Sequence, residues 1–328
     1  MKNKLFLVVF FIVAGFSMVF AEAPSGLEVT QNDTITELKW STSGDAESYN
    51  VYHATGASGK FNTFPEGWTI IATVLPTPTY TTHSYADITG NTYTYYLVTS
   101  MEGTTESAKS SMGVKTVLGF TYTEGAKNTY RISLPYVSQY DNASDVVTYL
   151  EGSLTTTPTK INNISLWIPS TQSFVPYGYK ESVGAWVGTD WSVDPYGLSM
   201  NAMYLHAISS FNWVVTGTDV STPLIFNYNS GMTANNNKRM IPYTSNYATV
   251  SDIVLEIEGA MNTNTKINRL SVWVPSTQSY SAYNYNTGMQ SWLGTNFNII
   301  PGDALNINVS GNTSSFTWQP TLKYPSIP

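Results

Sequence analysis

The 328-residue chain contains no cysteine, so disulfides contribute nothing to its stability, and zinc sites built on thiolates are excluded. Charge is scarce at 11% of residues, and histidine occurs three times, at His53, His83 and His206. No cluster of Lys and Arg is present, which argues against nucleic acid as a partner, because phosphate binding needs such a cluster. No two histidines stand at ligand spacing, and no Asp-x-Asp-x-Asp-Gly loop, Gly-rich phosphate loop or Gly-x-Ser-x-Gly elbow occurs. The expectation is therefore no metal and no cofactor. What fills the chain instead is Ser, Thr, Asn and aromatic residues, the last at 14%, a composition suited to short strands joined by turns.

The first 21 residues differ from the rest. Lys2 and Lys4 precede an apolar run from Leu5 to Phe20 that is broken only by Gly15 and Ser17, and Val19-Phe20-Ala21 supplies a cleavage site followed by Glu22-Ala23-Pro24. This pattern predicts a secretory signal peptide over residues 1–21, with a mature chain that is extracellular or periplasmic and has no membrane span. The run falls short of the ~20 residues a spanning helix needs. Removal of Lys2 and Lys4 takes the basic residues from 15 to 13 against 22 acids, a net of −9.

From Ala23 to about residue 117 the apolar spacing is two. Leu38 with Trp40, Tyr49 with Val51, and Tyr93 with Tyr95 and Leu97 each fall on one strand face, and Ser43-Gly44-Asp45 and Thr89-Gly90-Asn91 mark turns. The Pro-led opening Ala23-Pro24-Ser25-Gly26-Leu27-Glu28-Val29, Leu38-Lys39-Trp40, Tyr49-Asn50-Val51-Tyr52 and the Tyr-rich run 93–99 carry a family likeness, as do Glu106-Ser107 and Ser110-Ser111 in the place of a closing strand. On these residues the segment 22–117 resembles a fibronectin type III domain, and the resemblance implies a β-sandwich. Thr55 to Pro76 is expected to hold an enlarged loop before a strand at Thr69 to Val74.

The remainder is a tandem duplication. Leu134-Pro135-Tyr136 recurs as Ile241-Pro242-Tyr243, the eight residues from Trp167 recur from Trp273, Trp186-Val187-Gly188-Thr189 recurs at 292–295, and Ser209 to Trp213 recurs as Ser314 to Trp318. Two modules follow, 118–217 and 222–320, with a tail over 321–328; the period is too long for a solenoid or a propeller blade. In each, one short helix is predicted on a β framework. Ser144 and Ser251 are the expected N-caps, Val146, Val147 and Leu150 or Ile253, Val254 and Ile257 form the apolar stripe, and Gly152 or Gly259 caps the end. The modules resemble a loosely defined class of secreted bacterial β modules, a likeness that implies no activity. The fold class expected is thus mostly β, a fibronectin type III-like sandwich followed by two homologous β-rich modules, each with one short α-helix.

Chemistry has few candidates. Asp190 and Asp194 flank Trp191, a pair that would suit glycoside hydrolysis, but the second copy has Asn296 and Ile300 there. Lys160 and Lys266 lie in matching Thr-Lys-Ile-Asn strands, a setting in which some surface adhesins cross-link Lys to Asn. Aromatics carry more weight. Trp167, Tyr177 and Trp186, with Trp273, Tyr283 and Trp292, form a candidate binding face if Trp186 or Trp292 is exposed beside Tyr177 or Tyr283, although aromatics also dominate small cores. The expected function is non-catalytic binding or structural display, with adhesion to a glycan or another cell-surface protein; a glycan-active hydrolase with acids in the first copy is the alternative.

Overall fold

Alternating apolar residues mark the strands that carry the core of the first segment, and what they face decides the architecture. The computed structural model describes residues 22–32, 35–41, 46–56, 67–76, 80–84, 93–134, 136–193, 202–218, 226–228, 236–240, 247–300, 303–310 and 316–320. Residues 1–21, expected to be a signal peptide, together with Asp194 and Ile241-Pro242-Tyr243, therefore lie outside the described residues. Strands β1 (Ser25–Asn32), β2 (Ile35–Ser41) and β5 (Tyr80–Ser84) form one antiparallel sheet; β3 (Ser48–Gly56), β4 (Thr69–Val74) and β6 (Tyr93–Glu102) belong to a second, with the two-residue β7 (Thr105–Glu106) hairpinned onto β6. Leu27, Val29, Leu38, Trp40, Tyr49, Val51, Tyr96 and Val98 are buried between the two sheets, and Trp40 meets Tyr49 edge-on at 5.5 Å. This is the sandwich the fibronectin type III likeness implied, established by strand order and core.

Two details differ from the sequence reading. Glu106-Ser107 and Ser110-Ser111 are not the closing strand: the Ser107 and Ser110 hydroxyls accept from the amides of Ser100 and Val98, making an irregular margin along β6. The closing strand is β8 (Gly113–Phe120), which starts after it. Second, the sandwich core takes Tyr96 and Val98 of β6, whereas Tyr95, on the face singled out by the spacing, joins the core of the next module with Ala54 and Val114. Both faces of β6 are apolar because both are covered.

The cover comes from sharing a strand. Gly113 to Thr116 of β8 pair with Tyr96 to Tyr93 of β6, while all of β8 pairs on its other edge with β15 (Phe211–Thr218), from Phe120 opposite Phe211 to Gly113 opposite Thr218. The sheet continues through β15 to β10 (Val137–Ser138). One antiparallel sheet thus runs from the sandwich into the first module.

A five-stranded sheet completes that module, in the order β13 (Ala185–Gly188), β12 (Ser173–Lys180), β11 (Ile161–Ile168), β14 (Met203–Ala207), β9 (Thr129–Ile132). The helix α1 (Ala143–Glu151) lays Ala143, Val146, Val147 and Leu150 against it. The second copy repeats the plan, with β20 (Ser291–Gly294), β19 (Ser279–Asn286), β18 (Ile267–Val274), β21 (Ala304–Val309) and β17 (Asn236–Met240) in one sheet, and α2 (Val250–Glu258) burying Val250, Ile253, Val254 and Ile257. Its counterpart of the β8–β15 ladder is β16 (Phe226–Tyr228) with β22 (Phe316–Trp318). The equivalence extends to side chains: Phe120 stacks on Phe211 and Tyr228 on Phe316, both at 4.7 Å. Among the described residues no helix is long and apolar enough to cross a membrane.

The helix starts also need correction. The N-caps are Asn142 and Thr249, two residues before the serines, and each begins a capping box closed by Asp145 or Asp252. A Ser-Asp pair next to an apolar stripe fits either frame, and the acid at the third helical position selects the earlier one. Gly152 and Gly259 end the helices as expected, both at φ 81°, where a Cβ would be strained.

Candidate functional site

The aromatic residues read as a binding face are placed first by the strands that carry them. Tyr177 on β12 stacks on Trp186 of β13 at 5.9 Å, and Tyr283 on β19 stacks on Trp292 of β20 at 5.7 Å. Trp186 is 6% exposed and Trp292 5%, so neither offers a ring to solvent; both pairs face the helix side of their sheets and fill the module cores. Trp167 on β11 is also buried, edge-on to Phe174 at 5.0 Å. Trp273 on β18 is half-buried and has the same partner type, Tyr280 at 5.1 Å, but its indole N–H donates to the Thr129 carbonyl of the other module at 2.8 Å. Four of the six therefore fill the two cores, Trp273 sits at the boundary between the modules and Trp167 is buried beside Phe174 outside both cores, so they share no exposed surface.

The acids are spent on backbone. Asp145 accepts from the amides of Asp141 and Asn142, and Asp252 from those of Ala248 and Thr249. Glu151 takes the amides of Thr159, Lys160 and Ile161 at 2.6–2.9 Å, and Glu258 those of Thr265, Lys266 and Ile267 at 2.6–2.8 Å. Lys160 and Lys266 in turn donate to the helix-end carbonyls of Leu150 and Ile257, where the negative end of the helix favours a cation. Asp190 accepts from the Ser144 amide at 2.8 Å, and Asn296 makes the same bond to Ser251 at 3.0 Å. A neutral amide does in one copy what the carboxylate does in the other, so the bond, rather than the charge, is what the position supplies.

A cleft of about 620 Å³ lies where the modules meet. On one side are the end of β8, the following loop to Asn128, and Tyr130 to Ile132; on the other are Trp273, the β18–β19 turn with Gln278, and Ile300 with Asp303. The turn residue Gln278, held at φ 49°, clamps the β9 edge from both sides: its side-chain carbonyl accepts from the Thr129 amide at 2.9 Å and from the Thr129 hydroxyl at 2.8 Å, and its side-chain amide donates to the Thr129 carbonyl at 3.1 Å. The Ser133 hydroxyl donates to the Asp303 carbonyl.

Arg131 sits among rings from both modules, its guanidinium carbon 5.4 Å from Phe174, 5.7 Å from Tyr204, 4.9 Å from Trp273 and 5.2 Å from Tyr280. Such cation–π contacts strengthen as water is removed. Among the described residues it has no ion-pair partner, and its Nε is buried without an acceptor. Burial drives the Asp303 carboxyl, which also lines the cleft, up to about 7. That carboxyl accepts no hydrogen bond from any described residue.

Sequence reading missed Thr129, Arg131, Gln278 and Asp303. The one available signal was the repeated Pro-Ser-Thr-Gln-Ser turn, in which Gln172 and Gln278 both adopt positive φ, 51° and 49°.

No family model and no curated protein matches the chain. Among solved structures it is similar to an Fn3-like protein from Clostridium thermocellum, at 23% identity and TM-score 0.23 over 28% of this chain and 88% of that one. It is also similar to the pectate lyase Pel3 from Pectobacterium carotovorum, at 20% identity and TM-score 0.21 over 27% of this chain, and it spans about a quarter of that enzyme (26%). The chicken CNTN1 FN1-FN3 domains align over 92% of this chain and 99% of theirs, at 7% identity and TM-score 0.24. At these scores the likenesses say nothing of activity, and the chain is characterised by its own strand order as a multidomain β protein with a fibronectin type III-like sandwich.

Proposed function

We propose that the chain is exported by its N-terminal signal and works outside the cytoplasm as a non-catalytic binding or display protein, with glycans as its ligands. The observation that carries the non-catalytic part is the commitment of the paired acids. In both modules Asp145 or Asp252 and Glu151 or Glu258 are saturated by backbone amides, and Asp190, the acid with a possible hydrolytic partner in sequence, is replaced by Asn296 without loss of its bond. A carboxylate engaged this way is a structural cap, and glycoside hydrolysis needs two that are free to exchange protons and attack.

Binding has places to occur in duplicate. Each module exposes an apolar pair at one hairpin, Val183 and Val187 in the first and Met289 and Leu293 in the second, so a repetitive partner would be held at two points. A glycan-array screen of residues 22–328, with a parallel assay for release of reducing ends, tests the reading. Retention on at least one glycan class without hydrolysis is the expected result; turnover that depends on Asp190 would replace it with the hydrolase reading.

A further inference from the structure

The inter-module cleft combines three features that a merely structural boundary does not require. It is about 620 Å³, within the range of small-ligand sites. Asp303 lines it with a half-buried carboxyl that accepts no hydrogen bond from any described residue, so its bonding capacity is left for a ligand. Arg131 lines it as well, with its charge balanced by rings rather than by an acid.

We infer that this cleft is a binding site for a neutral, hydroxyl-rich ligand of one or two sugar residues, with Asp303 and Arg131 as its polar contacts. The chemical class follows from the two groups together. An anion would be drawn to Arg131 but opposed by the net charge of −9 that remains once Lys2 and Lys4 are removed, and a cation would be repelled by Arg131 itself. A hydroxyl both donates and accepts, so it satisfies the carboxyl and the guanidinium without a charge penalty. The Trp273 indole donates directly to the Thr129 carbonyl and Gln278 clamps the same residue, so the walls of the cleft are set before any ligand arrives.

This inference rests on the binding reading above but fails separately from it. The test titrates residues 22–328 with neutral disaccharides (cellobiose, maltose, lactose, chitobiose) and with an acidic one, digalacturonic acid, following Trp fluorescence and calorimetry, and repeats the titrations with Asp303→Asn. Saturable binding of at least one neutral disaccharide, weakened about tenfold by Asp303→Asn, is the expected result, since losing a well-placed hydrogen-bond partner has effects of that size. The variant loses a half-buried carboxyl, so its melting temperature at pH 7 should equal or exceed that of the parent, which separates lost binding from lost folding. No binding of any neutral disaccharide at 10 mM (about the top of a practical titration), or preference for the acidic one, overturns the assignment. An array hit that survives Asp303→Asn also overturns it while leaving the protein a glycan binder.

Discussion

Single residues set the pH response. Lys115 on β8 is buried in the sandwich with its Nζ on the Thr36 hydroxyl at 2.9 Å, and desolvation lowers its pKa to about 8. The unfolded chain holds this proton up to the ordinary lysine range, so stability should rise with pH between about 8 and 10.5, and Lys115→Met should remove that rise. Urea unfolding at pH 7.5, 9 and 10 checks this; an unchanged slope in the variant would reject it. Asp303 acts in the opposite sense. Its carboxyl is raised to about 7, so the fold keeps a proton that the unfolded chain releases near pH 4, and stability is lost as pH climbs through that window. At about 1.4 kcal/mol per unit the loss reaches at most about 4 kcal/mol, and Asp303→Asn should flatten the curve between pH 4 and 8. Glu258 belongs at this scale too. With three amides and a hydroxyl on one carboxylate, Glu258→Ala should cost about 2 kcal/mol in denaturant titrations, and Glu151→Ala a similar amount.

At the scale of elements, the two helices show what sequence conveys well. The i, i+1, i+4 stripe and the closing glycine placed α1 and α2 within a residue or two, because a helix needs a buried face and a left-handed cap, and both leave local marks. The start was legible only to within two residues, and Asn142→Ala should lower stability by about 1 kcal/mol while Ser144→Ala changes it less, a comparison that thermal melts of the two variants decide. Strands were harder to read. Alternation in β6 and β8 reveals that a face is apolar but not what covers it, so the sharing of β8 left no local trace. The same limit hid the cleft, since Thr129 and Gln278 are distant in sequence and each is an ordinary surface residue until the other is present. Aromatics misled for a related reason: ring size marks a position as important, and Tyr177 with Trp186 is important to a core.

Across the whole molecule, the boundaries between segments are built differently. The sandwich joins the first module through a shared strand, whereas the first joins the second through the Gln278 clamp and the Arg131 rings. Gln278→Ala removes three bonds across the boundary at once, and it should split off a separate calorimetric transition for the second module while leaving the sandwich and first module melting together. A single unsplit transition in the variant would show that other contacts dominate the boundary. The shared strand has a mechanical consequence as well. Chains of domains on flexible linkers stretch first at the linker, but here the path out of the sandwich is β8 itself, bonded along one edge to β6 and along the other to β15. Tension passing along the chain at this point would load two ladders in shear before any slack is taken up, making the sandwich and first module a stiff stalk and leaving compliance to the segments beyond it.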